Sequence, residues 1–306
     1  MQQHHLAEKN PHPRDKRITF EEGPHIYTID GDESKKYTSV TTWVHSYFKK
    51  FNAKEVIAAM MRNKKKWEDP IANEKYYGKT PEEIEEMWST SGREAAAKGT
   101  AMHYEIECFY NTPTPTPAPP APPAPPAPTP APPAPTPAPP TPPAPTRSTE
   151  IQYFHNFNTK FVSTAETATL RPYRTEWMVF HEEAQISGSI DMVYENIDID
   201  IDPTAPTTLS IYDWKRCKEI SKTNRGGEFA TNPIIEHFPD TNFWHYALQL
   251  NIYKYILQTK YGKTITDLYL IVLHPDAKNY QRIKLPNIQA EVKELFDERI
   301  AKINNQ

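Results

Sequence analysis

Cysteine and glycine are scarce, and hydrophobic runs are short. The 306 residues hold two cysteines and nine glycines. Cys108 and Cys217 stand far apart in the chain and form neither a CxxC pair nor a zinc or iron–sulfur pattern. No iron–sulfur cluster is therefore expected, and a reducing, intracellular compartment is the simplest reading. No apolar run approaches the ~18 residues that a membrane-spanning helix needs. The N-terminal stretch MQQHHLAEKNPHPRDKR is polar and lacks an apolar core, so no secretory signal is expected from it. The Walker A pattern is absent, so no ATP motor is expected. A net positive charge is also missing. With a formal charge of −4, any groove for nucleic acid has to be locally basic.

Proline is plentiful, with 32 residues, and from Thr112 to Thr146 the chain contains only Pro, Ala and Thr. Such a tract favours polyproline II over helix or sheet. Sequence of globular character flanks it on both sides, so it reads as an insertion looping out of one domain, with its ends close together. It is either a bland spacer or a ligand for a proline-binding partner. Without it roughly 270 residues remain, enough for a substantial core. The expected organisation is a disordered polar arm over 1–17, a hairpin and helical part over 18–111, the insertion over 112–146, and a core over 147–306. His4 and His5 read as part of a solvated tail rather than as metal ligands.

Along the chain, His25 to Ile29 alternates, Asp30-Gly31-Asp32 makes a turn, and Lys36-Tyr37 is expected to form the returning strand. Thr38 and Ser39 are capping residues for a helix through Phe48, and Ala53–Arg62 reads as another. Lys64-Lys65-Lys66 before Trp67 is either a nucleic-acid contact or a solvated helix end. Thr80-Pro81-Glu82-Glu83 combines a capping threonine, proline at the first helical position and glutamate at the third, a helix start. That helix is expected to reach about Tyr110, with a break near Ser91-Gly92. His103 and Glu107 lie four apart on it and share a face, either as a polar stripe or as part of a site. Glu150–Ala168 reads as a helix with Phe154, Phe157 and Phe161 on one side. The acids of 196–202 lack the glycine and spacing of an EF-hand and suit an extended hairpin. A helix over Phe243–Tyr261, strands over 265–274 and 280–285, and a terminal helix over 286–303 complete the pattern.

The chemistry concentrates between Glu176 and Lys215. TEWMVF, GSIDMVY and LSIYDWK read as three strands carrying acids among apolar residues. Asp213 and Lys215 are two apart on a strand and share a face, with Trp214 opposite. Two acids, Asp191 and Asp213, with a lysine beside them suit a hard divalent cation such as Mg²⁺ or Mn²⁺. Lys215 would hold a water or a phosphoryl oxygen next to it.

A helix with GTAMHYEIE, a strand with glutamate, then GSID, DWK and QLNIY resemble, in that order, the PD-(D/E)xK nuclease superfamily. More narrowly they are similar to its RecB-type branch, which includes mitochondrial genome-maintenance exonucleases and phage and large-virus exonucleases. The resemblance spans about 18–303 without the proline tract. It implies an α/β (α+β) fold with a restriction-endonuclease-like core, a central mixed sheet flanked by helices. It implies a metal-dependent DNA exonuclease acting on ends or single strands in replication, recombination or repair. Residue by residue, His103, Asp191 and Asp213 match metal ligands, and the Trp214 carbonyl completes the shell. Lys215 matches the catalytic lysine, and Glu176 an acid on the first strand. Gln249 and Tyr253 match a motif that supports the site and the DNA backbone. Glu107 is a group around the site or a distant ligand. Arg174, Arg216, Lys218, Lys222, Arg225, Lys98 and Lys64–Lys66 are the candidate phosphate contacts. The alternatives are a structure-specific endonuclease on the same core and an inactive nucleic-acid-binding scaffold.

Overall fold

The computed structural model describes residues 5–112, 148–162, 168–197, 206–224 and 226–305. The proline tract, His4, Arg225 and most of the acidic 196–208 stretch lie outside these. The architecture is a mixed six-stranded sheet with helices on both faces, an α+β arrangement.

Three long strands form the centre: β4 (Leu170–His181), β5 (Ile186–Asn196) and β6 (Thr208–Lys215), each antiparallel to the next. β7 (Thr264–Val272) runs parallel to β6, and β8 (Gln281–Lys284) closes that edge antiparallel to β7. A two-residue strand β3 (Thr38–Ser39) runs parallel to the start of β5. β4 covers one edge of β5 throughout. On the other edge β3 pairs at Ile186–Ser187 and β6 pairs from Met192 to Glu195. Gly188 to Asp191 is therefore a gap on that side of the sheet.

Helix α7 (Asn242–Lys260) is apolar around most of its circumference and is buried accordingly. It packs with α2 (Val40–His45) and α8 (Gln289–Asn304) over Trp177, Val179, Ile190 and Ile211. Asn251, fully buried on α7, donates to the Ala247 and Pro286 carbonyls and accepts from the Ile288 amide, fastening the approach to α8. On the opposite face α5 (Pro81–Asn111) and α6 (Thr149–Phe161) cover Met192, Tyr194, Tyr212 and Trp214. Phe157 is wholly buried there between Tyr194, Tyr212 and Trp214. Truncating such a ring to alanine costs about 3–5 kcal/mol. Phe109 and Tyr110, ending α5, lie 5.2 and 5.5 Å from the Phe154 ring near the start of α6. The two flanks of the proline tract thus meet, as the insertion reading requires.

Three expectations need correction. Residues 5–17 are not a disordered arm. They form α1 (His5–Lys9) and a 3-10 turn over Pro13–Arg17, with Leu6 buried. Asp15 holds them to β4, accepting from Arg174 at 2.8 Å and from the Trp177 indole at 3.0 Å. The N-terminal hairpin pairs β1 (Ile18–Glu21) with β2 (Ile26–Ile29) through a turn at Glu22–His25; the expected turn at Asp30–Asp32 is also present, closed by a bridge between Ile29 and Asp32, but no strand returns from it. Lys36-Tyr37 is not its returning strand. α5 runs unbroken through Ser91-Gly92, started by the Thr80–Glu83 capping box. The remaining helices, α3 (Ala53–Arg62) and α4 (Lys64–Trp67), lie beside the start of α5.

Candidate metal centre

The strand register lines up three acids. The pairs Thr175↔Met192 and Trp177↔Ile190 place Glu176 across from Asp191. On the other side the β5–β6 ladder ends at Met192↔Tyr212, one step before Asp191 would meet Asp213. There the Asp191 side chain takes over: its Oδ2 accepts the Trp214 amide at 3.0 Å. Carboxylates facing each other across strands repel, so this row needs positive charge.

Helix α5 supplies part of it. His103 Nε2 lies 2.8 Å from the Trp214 carbonyl, and Nδ1 lies 3.4 Å from Asp191 Oδ2. One ligand atom each from His103, Glu176 and Asp191 fall within 4.8 Å of one another. The sequence reading put Asp213 in the ligand set and Glu176 nearby. In the structure Glu176 joins His103 and Asp191, while Asp213 Oδ2 is engaged 2.6 Å from Lys215 Nζ. An imidazole, two carboxylates and an adjacent carbonyl form a donor set that fits Mg²⁺ or Mn²⁺.

The electrostatics agree with this donor set. Burial first, and the Asp191 charge second, push Glu176 up to about 7; a hydrogen bond from Ser189 Oγ at 2.8 Å resists. Asp213 is pushed up to about 6 by burial, against the pull of Lys215. Burial works against the Lys215 ammonium, but the Asp213 and Asp191 carboxylates outweigh it and hold its pKa above the usual lysine value. At 2.6 Å each group of the Asp213–Lys215 pair favours the charged form of the other. Glu176 also sits mid-strand at φ 41°, a left-handed conformation. For a non-glycine residue this costs on the order of 1–3 kcal/mol and is common at functional sites.

The QLNIY residues act from below. Tyr253 on α7 is buried, and its Oη lies 2.7 Å from where a Cβ on Gly188 would be. Gly188 is thus required by the close approach of α7. Burial first, then the charges of Asp191 and Asp213 among others, hold the Tyr253 hydroxyl well above the usual tyrosine pKa. It supports the cluster and is not open to substrate. Of the proposed phosphate contacts, Arg174 is spent on Asp15 and Arg216 on Glu150 at 2.7 Å, both largely buried. Lys218 is exposed and pairs with Asp276 at 3.0 Å.

No protein-family model matches this chain, and no curated protein matches it. A solved structure titled "Crystal structure of SSO0001" shares 17% identity over 51% of this chain and 57% of its own, at a TM-score of 0.21. The chain thus spans little over half of that structure, and a likeness this slight carries no argument. Among the described residues no helix is long and apolar enough to cross a membrane.

A cavity of about 580 Å³ opens beside the cluster, lined by His103, Glu176 and Ser189 and by Tyr27, Tyr104 and Glu107. Sequence reasoning missed several of its partners. Ser189 follows Gly188 in GSID and could have been noticed as a hydroxyl two residues from Asp191. Tyr246, whose ring lies 4.5 Å from Lys215 Nζ, could have been noticed one helical turn before Gln249. Nothing local marks Tyr27, which arrives from the N-terminal hairpin.

Proposed function

We propose that this protein is a metal-dependent nuclease that hydrolyses phosphodiester bonds at DNA ends or in single strands. The observation that carries the reading is the acid row at the gap in the sheet: Glu176 across from Asp191, Asp213 one register step beyond, and His103 and Lys215 closing on it. His103, Glu176 and Asp191 would hold Mg²⁺ or Mn²⁺, with the Trp214 carbonyl and Asp213 adjacent. When bound, the ion lowers the pKa of a water and neutralises charge on the phosphoryl oxygens. Lys215, kept charged by Asp213, holds the attacking water or a phosphoryl oxygen. Asp213 fixes the direction of the ammonium, and Tyr246 covers it. Ser189 orients Glu176 through its hydrogen bond. The cavity beside the cluster gives the strand end a place next to these groups.

The test is digestion of linear single-stranded, linear double-stranded and closed circular DNA with Mg²⁺ or Mn²⁺, with Lys215→Ala and Asp191→Asn as controls. Degradation of linear DNA alone, lost in both variants, is the expected result. Cutting of circles would move the assignment to an endonuclease. Absence of metal-dependent cutting, or variants as active as the parent, would overturn it.

A further inference from the structure

Far from the metal cluster, the segment from Lys49 to Lys79 carries nine lysines and arginines against four acids, in a chain whose net charge is −4. It contains α3, α4 and the approach to α5, and it projects as a helical spur. Ile57 is the one buried hydrophobic on α3, and α4 buries none. None of Lys50, Lys54, Arg62, Lys64, Lys65 and Lys66 makes an ion pair among the described residues; the first turns of α5 add Glu82, Glu83, Glu85 and Glu86, so the basic character is local to these side chains.

Aromatic rings run through the same surface. Phe51, 73% exposed, lies 6.0 Å from Trp88, and Trp88 lies 6.1 Å from Tyr76. The Trp88 indole donates to the Tyr76 hydroxyl at 2.9 Å, which fixes both rings. Lys75 sits 5.2 Å from the Tyr76 ring, and Lys49, Lys50 and Lys54 line a groove with Phe51. Tyr77 and Ile71 are exposed nearby, at 52% and 88%. A solvated basic helix needs no rings, and a hydrophobic protein interface does not favour this many unpaired lysines. Cations for phosphates interleaved with flat rings for bases is the pattern of single-strand recognition.

The spur is joined to the metal centre by α5 itself. Ser91 to Lys98 are all exposed, so about two turns of this helix are bare on every side among the described residues. From Trp88 to His103 the helix rises ~22 Å.

We propose that the spur of α3, α4 and the first turns of α5 binds single-stranded nucleic acid, with lysines on its phosphates and Phe51, Trp88 and Tyr76 as a stacking strip. That it delivers the strand to the metal centre rests on the nuclease reading; the binding does not.

The experiment is fluorescence anisotropy of a labelled thymidine 30-mer with the full chain in EDTA, across a salt series. The parent should bind with a steep salt dependence and at least tenfold more tightly than to a duplex of the same length. The triple variant Lys64→Ala, Lys65→Ala, Lys66→Ala should flatten the log–log salt slope by about 2. Phe51→Ala should weaken binding roughly 5- to 100-fold, while Lys293→Ala with Lys302→Ala on α8 should leave it unchanged. All these positions are exposed, and circular dichroism confirms folding. Unaltered affinity and slope in the spur variants, or equal duplex binding, would overturn the proposal. So would spur-dependent binding to phosphatidylserine vesicles without oligonucleotide binding. Spur-dependent binding without hydrolysis under any metal would leave this proposal standing and remove the nuclease. Hydrolysis with spur variants that bind as the parent does would do the reverse.

Discussion

The Asp191 carboxylate takes the place of a missing strand: where β5 and β6 part, its Oδ2 accepts the Trp214 amide at 3.0 Å. The same residue faces Glu176 and His103, so one side chain both closes the backbone ladder and belongs to the candidate metal cluster. The two duties separate by substitution. Asp191→Asn keeps an acceptor oxygen and removes a repelling charge; Asp191→Ala leaves a buried amide unmet, which costs about 1–3 kcal/mol. Urea unfolding should place the alanine variant below the asparagine variant by that amount, and both should lose metal-dependent hydrolysis.

Glu176 links metal binding to pH. Its folded pKa of about 7 lies above the ordinary carboxyl value of 4.5, so its contribution to stability is complete below about pH 4.5 and is lost as pH rises through 7. A divalent cation compensates the charge that appears there and competes with the proton at lower pH. Mn²⁺ should therefore raise the melting temperature more at pH 8 than at pH 5.5. Glu176→Gln should be more stable than the parent at pH 8 without metal, and should gain little when Mn²⁺ is added.

His181, on β4 far from the cluster, gives a second pH signature. Burial lowers its pKa to about 4, and the Ala184 amide donates to its Nδ1, which fits a neutral ring. The unfolded chain takes up a proton near 6.5 and the folded chain near 4. Stability is thus unaffected above 6.5 and falls between 6.5 and 4, by about 3 kcal/mol in all. Denaturant titrations of the parent and His181→Gln across that window should converge as pH falls.

Gly188→Ala tests the approach of α7 to the gap. The new Cβ would meet Tyr253 Oη at 2.7 Å and Cε1 at 3.0 Å, and Tyr253 is held in a packed helix. Overpacking of this kind costs about 1–3 kcal/mol. Adding Tyr253→Phe removes the closest atom, so the double variant should recover part of that loss in urea unfolding.

What was legible in the sequence was what short-range chemistry writes. The Thr80–Glu83 box starts α5 where expected, and the alternation around Asp213 and Lys215 gives β6 and the ion pair. Long-range pairing was not legible. Asp15 and Arg174 are 159 residues apart, so a polar N-terminus read as an arm and a basic residue as a phosphate contact. Arg216 was misread likewise, because its partner Glu150 lies 66 residues earlier in the chain, on α6. The hairpin partner was misplaced because the chain turns both at Glu22–His25 and at Asp30-Gly31, and local rules do not say which turn joins two paired strands. Glu176 was placed near the site but not in the ligand set. Its place within reach of His103 and Asp191 follows from strand register, which neither motif nor spacing encodes.

The bare turns of α5 set a mechanical property of the whole molecule. A helix is stiff along its axis, since its rise is fixed by hydrogen bonds, but without side support it bends sideways. Among the described residues the stretch from Ser91 to Lys98 has no such support. It acts as a ruler in length and as a spring in direction. A bend of about 10° there swings the start of the helix, ~27 Å from Gly99, by roughly 5 Å. The direction of the spur can therefore change while its distance from His103, measured along the helix, stays constant.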